Sequence, residues 1–565
     1  MYISNYRQRS GAVFLLCFAL LAACIARLLF IQLFRSTYLA EIARKQHNLF
    51  VELEPVRGII YDANLKPLAV NIPADSLYAS PAFIADKEKA VAQLSGALNI
   101  NQDYLKARLL RKKSFVWLAR KLSPEDSAAV SRLNIKGLGF IKESRRSYPN
   151  QYLASQVMGF AGLDNSGLEG LEMSFDKYLK GDPGWAVFLR DAHQKKLDIW
   201  KKMSLPKDGY SLVLTIDEVI QYIAERELDK AFKAYRAKGA SIIVMDPYTG
   251  AILAMANRPT YDPNSHSQAS KDQIRNRAVC DMFEPGSVFK IVAASAAIEE
   301  KKVSEEDKFY CENGSWRVGP QILHDHQPHG WLTFREVIGQ SSNIGTAKVA
   351  QILGPDIIYR YVKLFGFGVK TGVDMPGEVS GMLKEPRLWS KTSMTAIPMG
   401  QEVGVTALQL ASAISAIANG GQLMKPYVIS GVRDKYGEMI KEFAPVTVRR
   451  AISLETADRV KKILQGVVDE GTGTLAKING ISAAGKTGTA QKLEPNGTYS
   501  HNKFIGSFIG FAPVENPVVV VAVVLDEPHP YYGGVVSAPV FKNVARDVIK
   551  YLNMKQSQSA ALNEN

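Results

Sequence analysis

Gly11 to Phe34, GAVFLLCFALLAACIARLLFIQLF, is one apolar run broken only by Arg27. It is long enough to cross a bilayer core, and a long arginine side chain in its second half can snorkel to the interface. The run predicts a single membrane helix over 11–34 behind a short basic head, residues 1–10. Residues 35–50 read as a juxtamembrane helix, and VELEPVRGIIYDANLKPLAV then alternates and breaks like two strands around a turn at Ala63 to Lys66. Helical patterns such as KAVAQLSGALNI and PEDSAAVSRL fill 80–135. RRSYPN at Arg145 and GLEGLEMSFDKYLKGDPG at Gly167 punctuate short elements before a charged connector. Together these predict a mixed α/β, non-catalytic module over 35–210.

At Ser211 the texture changes. SLVLTID, the helix-like VIQYIAERELDKAFKAYRAK and the strand pair in ASIIVMDPYTGAILAMA open a compact α/β domain expected over 211–553. KFIGSFIGFAP and NPVVVVAVVLDEP supply its closing strands and VFKNVARDVIKYL its last helix. MKQSQSAALNEN, residues 554–565, is expected to be a disordered tail.

Composition changes this picture little. With 46% hydrophobic and 22% charged residues the chain is globular rather than disordered. The net charge of +14 is scattered, with small clusters at Lys106 to Lys113 and Lys195 to Lys202, and no nucleic-acid motif accompanies it. Solvated faces near an anionic membrane explain the charge, and no nucleic-acid partner is expected. Basic residues flank the apolar run on both sides, Arg7 and Arg9 before it and Arg35, Arg44 and Lys45 after, so the positive-inside count is undecided. The short head, single span and large polar remainder read as an uncleaved signal anchor, which puts the chain beyond about residue 35 outside the cytoplasm. Leu21-Ala22-Ala23-Cys24 also fits a lipoprotein cleavage site, but cleavage there would leave IARLLFIQLF as an apolar stub. Cys17 and Cys24 lie in the apolar run as small hydrophobes, and nothing in the spacing of Cys280 and Cys311 selects a disulfide over two free thiols.

The chemistry starts in FEPGSVFKIVAAS, where Ser287 stands three residues before Lys290 at the head of an apolar run. On a helix starting near Pro285-Gly286 these two share a face. A serine becomes a nucleophile when a neighbour takes its proton, and a lysine does so once burial lowers its pKa. Lys290 is therefore a candidate general base. Alone the pattern says little, since Ser174, Ser204 and Ser500 also stand three before a lysine. The first lies in the non-catalytic module, the second has Pro206 in its window, and the third follows Pro-Asn-Gly-Thr in an expected loop.

Two further elements select Ser287. Ser341-Ser342-Asn343 follows the helix-like LTFREVIGQ and offers a proton-relaying hydroxyl and an amide. Lys486-Thr487-Gly488-Thr489 in ISAAGKTGTAQK offers a lysine and two hydroxyls as a carboxylate seat, with Gly488 allowing a peptide to approach a strand edge. Decoys exist for both, Ser500-His501-Asn502 and Lys370-Thr371-Gly372. His324, Asp325, His326 and His329, with Cys311 upstream, could ligate zinc, but serine acyl transfer needs no metal and no cofactor is expected. Trp331 and Tyr531-Tyr532-Gly533-Gly534 read as rim packing.

These three motifs, with the anchor, the RGIIYD hairpin and the YPN and GLEGLE segments, resemble the class B penicillin-binding proteins, most closely the division-specific FtsI type. The resemblance implies a transpeptidase domain of the penicillin-binding and serine β-lactamase fold on an elongated N-terminal pedestal. It implies that Ser287 attacks the penultimate D-alanine carbonyl of a peptidoglycan stem peptide while Lys290 takes its proton. Ser341 would pass the proton to the departing amine, Asn343 would bind the donor amide, and Lys486, Thr487 and Thr489 would hold the terminal carboxylate. The backbone N–H groups of Ser287 and Thr489 would form the oxyanion hole. Further implications are acylation by β-lactams, a plasma-membrane location, and a FtsW-like glycosyltransferase with other divisome proteins as partners. An elongation-type transpeptidase, a D,D-carboxypeptidase or β-lactamase, and an idle β-lactam sensor are the alternatives. Where the family often has Asp-Arg-Asn-Gly, this chain has Asp62-Ala63-Asn64-Leu65.

Overall fold

The computed structural model describes residues 2–563 except 112, 114, 191–195, 320 and 495. Two compact units emerge, one of residues 1–56 and 181–208, the other of 57–180 and 209–565. The smaller unit contains the helix Tyr2–Phe34, the helix Ser36–His47 and a three-stranded antiparallel sheet with Gly184–Arg190 in the middle. Within the first helix, Arg9–Phe34 is long and apolar enough to cross a membrane, as the sequence predicts for 11–34.

In the larger unit, one seven-stranded sheet draws on both sides of the boundary expected at 211. Ser211–Leu214 lies between Ile429–Arg433 and Ile60–Tyr61, and the sheet continues through Pro67–Ala79 to Val116–Leu122 and Leu138–Ser147. Texture along a chain marks where a segment begins, whereas strand pairing joins segments far apart in sequence. The expected turn is present: Asp62 accepts the N–H groups of Asn64 and Lys66, both at 2.8 Å. Leu65 adopts φ +62° there, a left-handed conformation that glycine takes without strain.

The three landmarks of the N-terminal module meet in one buried ion cluster. Arg57 contacts Glu172 and Asp176 at 2.6 Å, and Arg146 contacts Glu172 at 2.6 Å. The Tyr148 hydroxyl donates to Glu172 at 3.2 Å. The Arg57 and Glu172 side chains have no exposed surface, so each charge depends on its partner.

The second sheet explains the valine-rich run near the C-terminus. Its order is Ile252–Arg258, Gly239–Met245, Val519–Asp526, Tyr499–Ala512 and Ala484–Leu493, all antiparallel. Alternate residues of Val519–Asp526 face opposite ways. Val520, Ala522 and Val524 join the core under the helices Lys290–Glu299 and Ala407–Ala418. Val519, Val521, Val523 and Leu525 join the core under Glu218–Ala234 and the C-terminal helix. A strand covered on both faces reads as continuously apolar. The C-terminal helix runs from Ala538 to Asn563, so residues 554–563 are helical where a disordered tail is expected. Gln, Ala and Leu there extend a helix already nucleated by its packed first turns.

Candidate active site

Ser287 lies in a single 3₁₀ turn, Gly286–Phe289, that feeds the helix Lys290–Glu299, and the Lys290 N–H donates to the Ser287 carbonyl. In a 3₁₀ turn, side chains three apart eclipse, so the serine and lysine share a face. Gly286 has φ +58°, and a Cβ there would come within 2.8 Å of the Thr489 carbonyl oxygen. A Cβ on Gly488 would meet Ser507 Oγ at 2.4 Å and Val288 Cγ1 at 2.8 Å. The serine turn is thus pressed directly against the strand Ala484–Leu493, and Gly488 is required by that contact. Ser287 itself is half-buried, with its hydroxyl making no hydrogen bond among the described residues.

Lys290 is fully buried. Its Nζ donates to the Ser341 carbonyl at 2.6 Å, Ser341 Oγ at 3.2 Å and Asn343 Oδ1 at 2.8 Å. Burial lowers its pKa to about 7, against the pull of the Asp325 carboxylate. Lys486, also fully buried, donates to the same Ser341 Oγ at 2.9 Å. Burial and the charge of Lys290 hold it well below the ordinary lysine value. One hydroxyl therefore bridges two amines, neither of which keeps its proton strongly. Ser341 reaches this position from a left-handed backbone, φ +59°, which points its carbonyl at Lys290 as well.

Asp325 sets the geometry of this motif. Its Oδ1 accepts the N–H groups of Asn343 at 2.5 Å and Ile344 at 3.0 Å, and its Oδ2 accepts the Ser342 hydroxyl at 2.6 Å. A carboxylate at these first N–H groups of the helix Asn343–Leu353 is the favourable sign for that helix end. Asn343 Nδ2 donates to the His324 carbonyl at 2.8 Å, so its amide is fixed at both ends. In the sequence Asp325 stands out only as part of a histidine cluster, because its partners are 17 to 19 residues away and no local spacing records them. Among the described residues no three His, Cys, Asp or Glu side chains form a metal-ligand group. His326 lies against Tyr532, ring centroids 4.9 Å apart. Cys280 and Cys311 are both free thiols.

The strand with Lys486 is the free edge of its sheet. Alternation sends Lys486 and Gly488 to one face and Thr487 and Thr489 to the other. Thr487 Oγ1 pairs with Thr472 Oγ1 at 2.7 Å, and Thr489 Oγ1 accepts the Gly533 N–H at 3.1 Å. The lysine thus serves Ser341 while the threonine hydroxyls sit across the strand, instead of all three facing one seat. Tyr531 stacks on Phe504, centroids 4.0 Å apart, at the same end of the sheet.

The decoys lie elsewhere in the fold. Ser174 closes the short helix Gly170–Ser174, and Ser204 ends a strand of the smaller unit. Ser500 lies on the strand Tyr499–Ala512 rather than in a loop, and its hydroxyl donates to Asn502 Oδ1 at 3.0 Å. Thr371 donates to Glu378 at 2.6 Å in a turn.

Comparison with known proteins gives the context. Residues 240–546 match the family described as penicillin binding protein transpeptidase domain, and residues 52–214 match the penicillin-binding protein dimerisation domain. Stage V sporulation protein D of Bacillus subtilis is 36% identical over 98% of this chain and 88% of its own length. The probable peptidoglycan D,D-transpeptidase PenA of Neisseria gonorrhoeae is 34% identical over 96% and 93%. The peptidoglycan D,D-transpeptidase FtsI of Escherichia coli K12 is 32% identical over 95% and 92%. The crystal structure of penicillin binding protein 3 from Mycobacterium tuberculosis with aztreonam superposes with TM-score 0.71 at 30% identity, over 89% of this chain and 97% of that one.

Proposed function

Because the chain belongs to the penicillin-binding protein transpeptidase family, we propose that it is a septal peptidoglycan D,D-transpeptidase working through an acyl-enzyme on Ser287. The observation that carries this reading is the buried relay Lys290–Ser341–Lys486 at the head of the helix that the Ser287 turn feeds, with the half-buried Ser287 hydroxyl making no hydrogen bond among the described residues. Neutral Lys290 takes the Ser287 proton as Oγ attacks the penultimate D-alanine carbonyl of a donor stem. The first turn of a helix leaves its N–H groups without intrahelical acceptors, and Ser287 lies in that turn beside Thr489. The N–H groups of Ser287 and Thr489 then stabilise the oxyanion, at about 3 kcal/mol per donor.

Ser341 returns the proton to the departing D-alanine amine through its two lysine contacts. The donor peptide lies along the free edge of Ala484–Leu493, with its terminal carboxylate at Thr487 and Thr489 and its amide at Asn343. An acceptor amine on a second stem attacks the acyl-enzyme and closes the cross-link. β-Lactams acylate the same serine. The apolar helix holds the protein in the plasma membrane with residues beyond about 35 on the outer side, where a FtsW-like glycosyltransferase and divisome proteins are the partners.

The test is reconstitution with uncross-linked glycan carrying pentapeptide stems. D-Alanine release and dimer formation by wild type, both lost in Ser287→Ala, support the reading; equal products from the two proteins defeat it. Depletion in cells decides the septal role: filaments support division, whereas rounded cells assign the enzyme to elongation.

A further inference from the structure

Against the helix Asn343–Leu353 lie aromatic rings that neither the core nor the relay uses. Two short antiparallel strands, Lys308–Tyr310 and Trp331–Thr333, pair with Tyr310 opposite Trp331. The Cys311 N–H donates to the Gly330 carbonyl at 2.7 Å and continues that pairing. Trp331 is 67% exposed, although rings of that size are ordinarily covered. It is braced from behind. Its ring lies 5.4 Å from that of Tyr310, whose hydroxyl accepts from Asn313 Nδ2 at 3.0 Å. Lys348 donates to the Tyr310 carbonyl at 2.7 Å and pairs with Glu312 at 2.6 Å. Its ammonium is 5.9 Å from the Tyr310 ring and 5.2 Å from the Trp316 ring.

This brace ties the rings to the relay. Lys348 follows Asn343 on one helix, Asn343–Leu353, by a rise of about 7.5 Å. Adding the reach of the lysine and the ring spacings bounds the path from Asn343 to Trp331 at about 25 Å, and the straight line is shorter. An extended five-residue stem spans roughly 17 Å. The straight-line distance lies below that bound, so the far end of a stem held at Asn343, with the sugar beyond it, is of the right order of length to reach these rings.

We infer that Trp331 and Tyr310 form a saccharide shelf on which an N-acetylated sugar of the glycan strand bearing the bound stem lays its apolar ring face. The inference rests on the transpeptidase reading. The flat indole covers the sugar's C–H face, while Asn313, hydrogen-bonded to the Tyr310 hydroxyl, supplies a partner for the sugar's hydroxyl and amide groups. The stem itself favours a saccharide over an unrelated protein as the occupant. It is a covalent tether that raises the local concentration of its own sugar at the shelf.

The test uses the full-length protein in detergent and glycan strands stripped of their stem peptides, titrated by calorimetry. Wild type binds, and Trp331→Ala weakens binding about ten-fold, with Trp331→Phe between them. Acylation by a fluorescent penicillin, which carries no sugar, stays at the wild-type rate. In cross-linking, the KM for stem-bearing glycan rises with kcat kept, and the KM for the free pentapeptide does not move. Equal glycan affinity in wild type and Trp331→Ala overturns the shelf. So does a parallel loss of penicillin acylation, which makes the ring structural, and so does loss of a protein partner with glycan binding intact. Wild type that takes no penicillin defeats the transpeptidase reading instead.

Discussion

Replacing Asp325 by asparagine separates two effects that converge on Lys290. The carboxylate raises the lysine pKa while burial lowers it, and the balance stands at about 7. A base must be neutral, so the acylation rate follows the deprotonated fraction and rises with pH. With a midpoint near 7 that fraction is about 0.1 at pH 6 and about 0.9 at pH 8, a nearly ten-fold rise. Asparagine keeps an oxygen for the N–H groups of Asn343 and Ile344 but removes the charge. Burial then acts unopposed, and the midpoint falls by about one unit, the lower end of what a nearby opposite charge contributes. At pH 6 the neutral fraction becomes about 0.5, a gain of roughly five-fold in available base. The lost charge at the helix start also loosens Ser342 and Asn343, so the plateau rate above pH 8 drops. The assay is the second-order rate of penicillin acylation by stopped flow from pH 5.5 to 9. A midpoint moving down with a lower plateau agrees with the account. A wild-type rate independent of pH, or a midpoint that rises in Asp325→Asn, refutes Lys290 as the base.

Three other perturbations read out separate parts of the structure. Ser341→Ala removes the hydroxyl shared by Lys290 and Lys486, and acylation should fall by about 10² or more with the melting temperature nearly unchanged. Glu172→Ala leaves Arg57 and Arg146 buried without their carboxylate, which should cost about 3–5 kcal/mol in thermal unfolding while the folded fraction still labels with penicillin. Leu65→Gly relieves a left-handed backbone at an exposed turn and should raise stability by about 1 kcal/mol, with acylation unaltered.

Local rules put Ser287 and Lys290 on one face, because three-residue spacing on a helical turn does so whatever the rest of the fold does, and the two later motifs singled that pair out from its decoys. The valine run at 519–525 was legible as a strand for the same reason, and its two-sided burial accounts for its lack of polar alternation. What stayed hidden depends on contacts remote in sequence. Asp325 acts through residues beyond any helical or strand period, and Lys486 meets Ser341 across 145 positions. Arg57, Arg146 and Glu172 stand in three recognisable segments, yet nothing in their spacing says that they neutralise one another. The sheet that crosses residue 211 was hidden by the same cause, since strand pairing leaves no mark on composition. Ser500 misled because its Pro-Asn-Gly-Thr prefix signals a turn, and the strand begins immediately after it, at Tyr499.

The central claim is that Ser287 is the acylated nucleophile, and peptide mass mapping tests it most directly. The full-length protein is incubated with benzylpenicillin, digested and analysed for the added acyl mass. The account predicts one adduct, on the peptide containing Ser287, formed faster at pH 8 than at pH 6 and absent from Ser287→Ala. An adduct on another residue, or no adduct on folded wild-type protein, contradicts it.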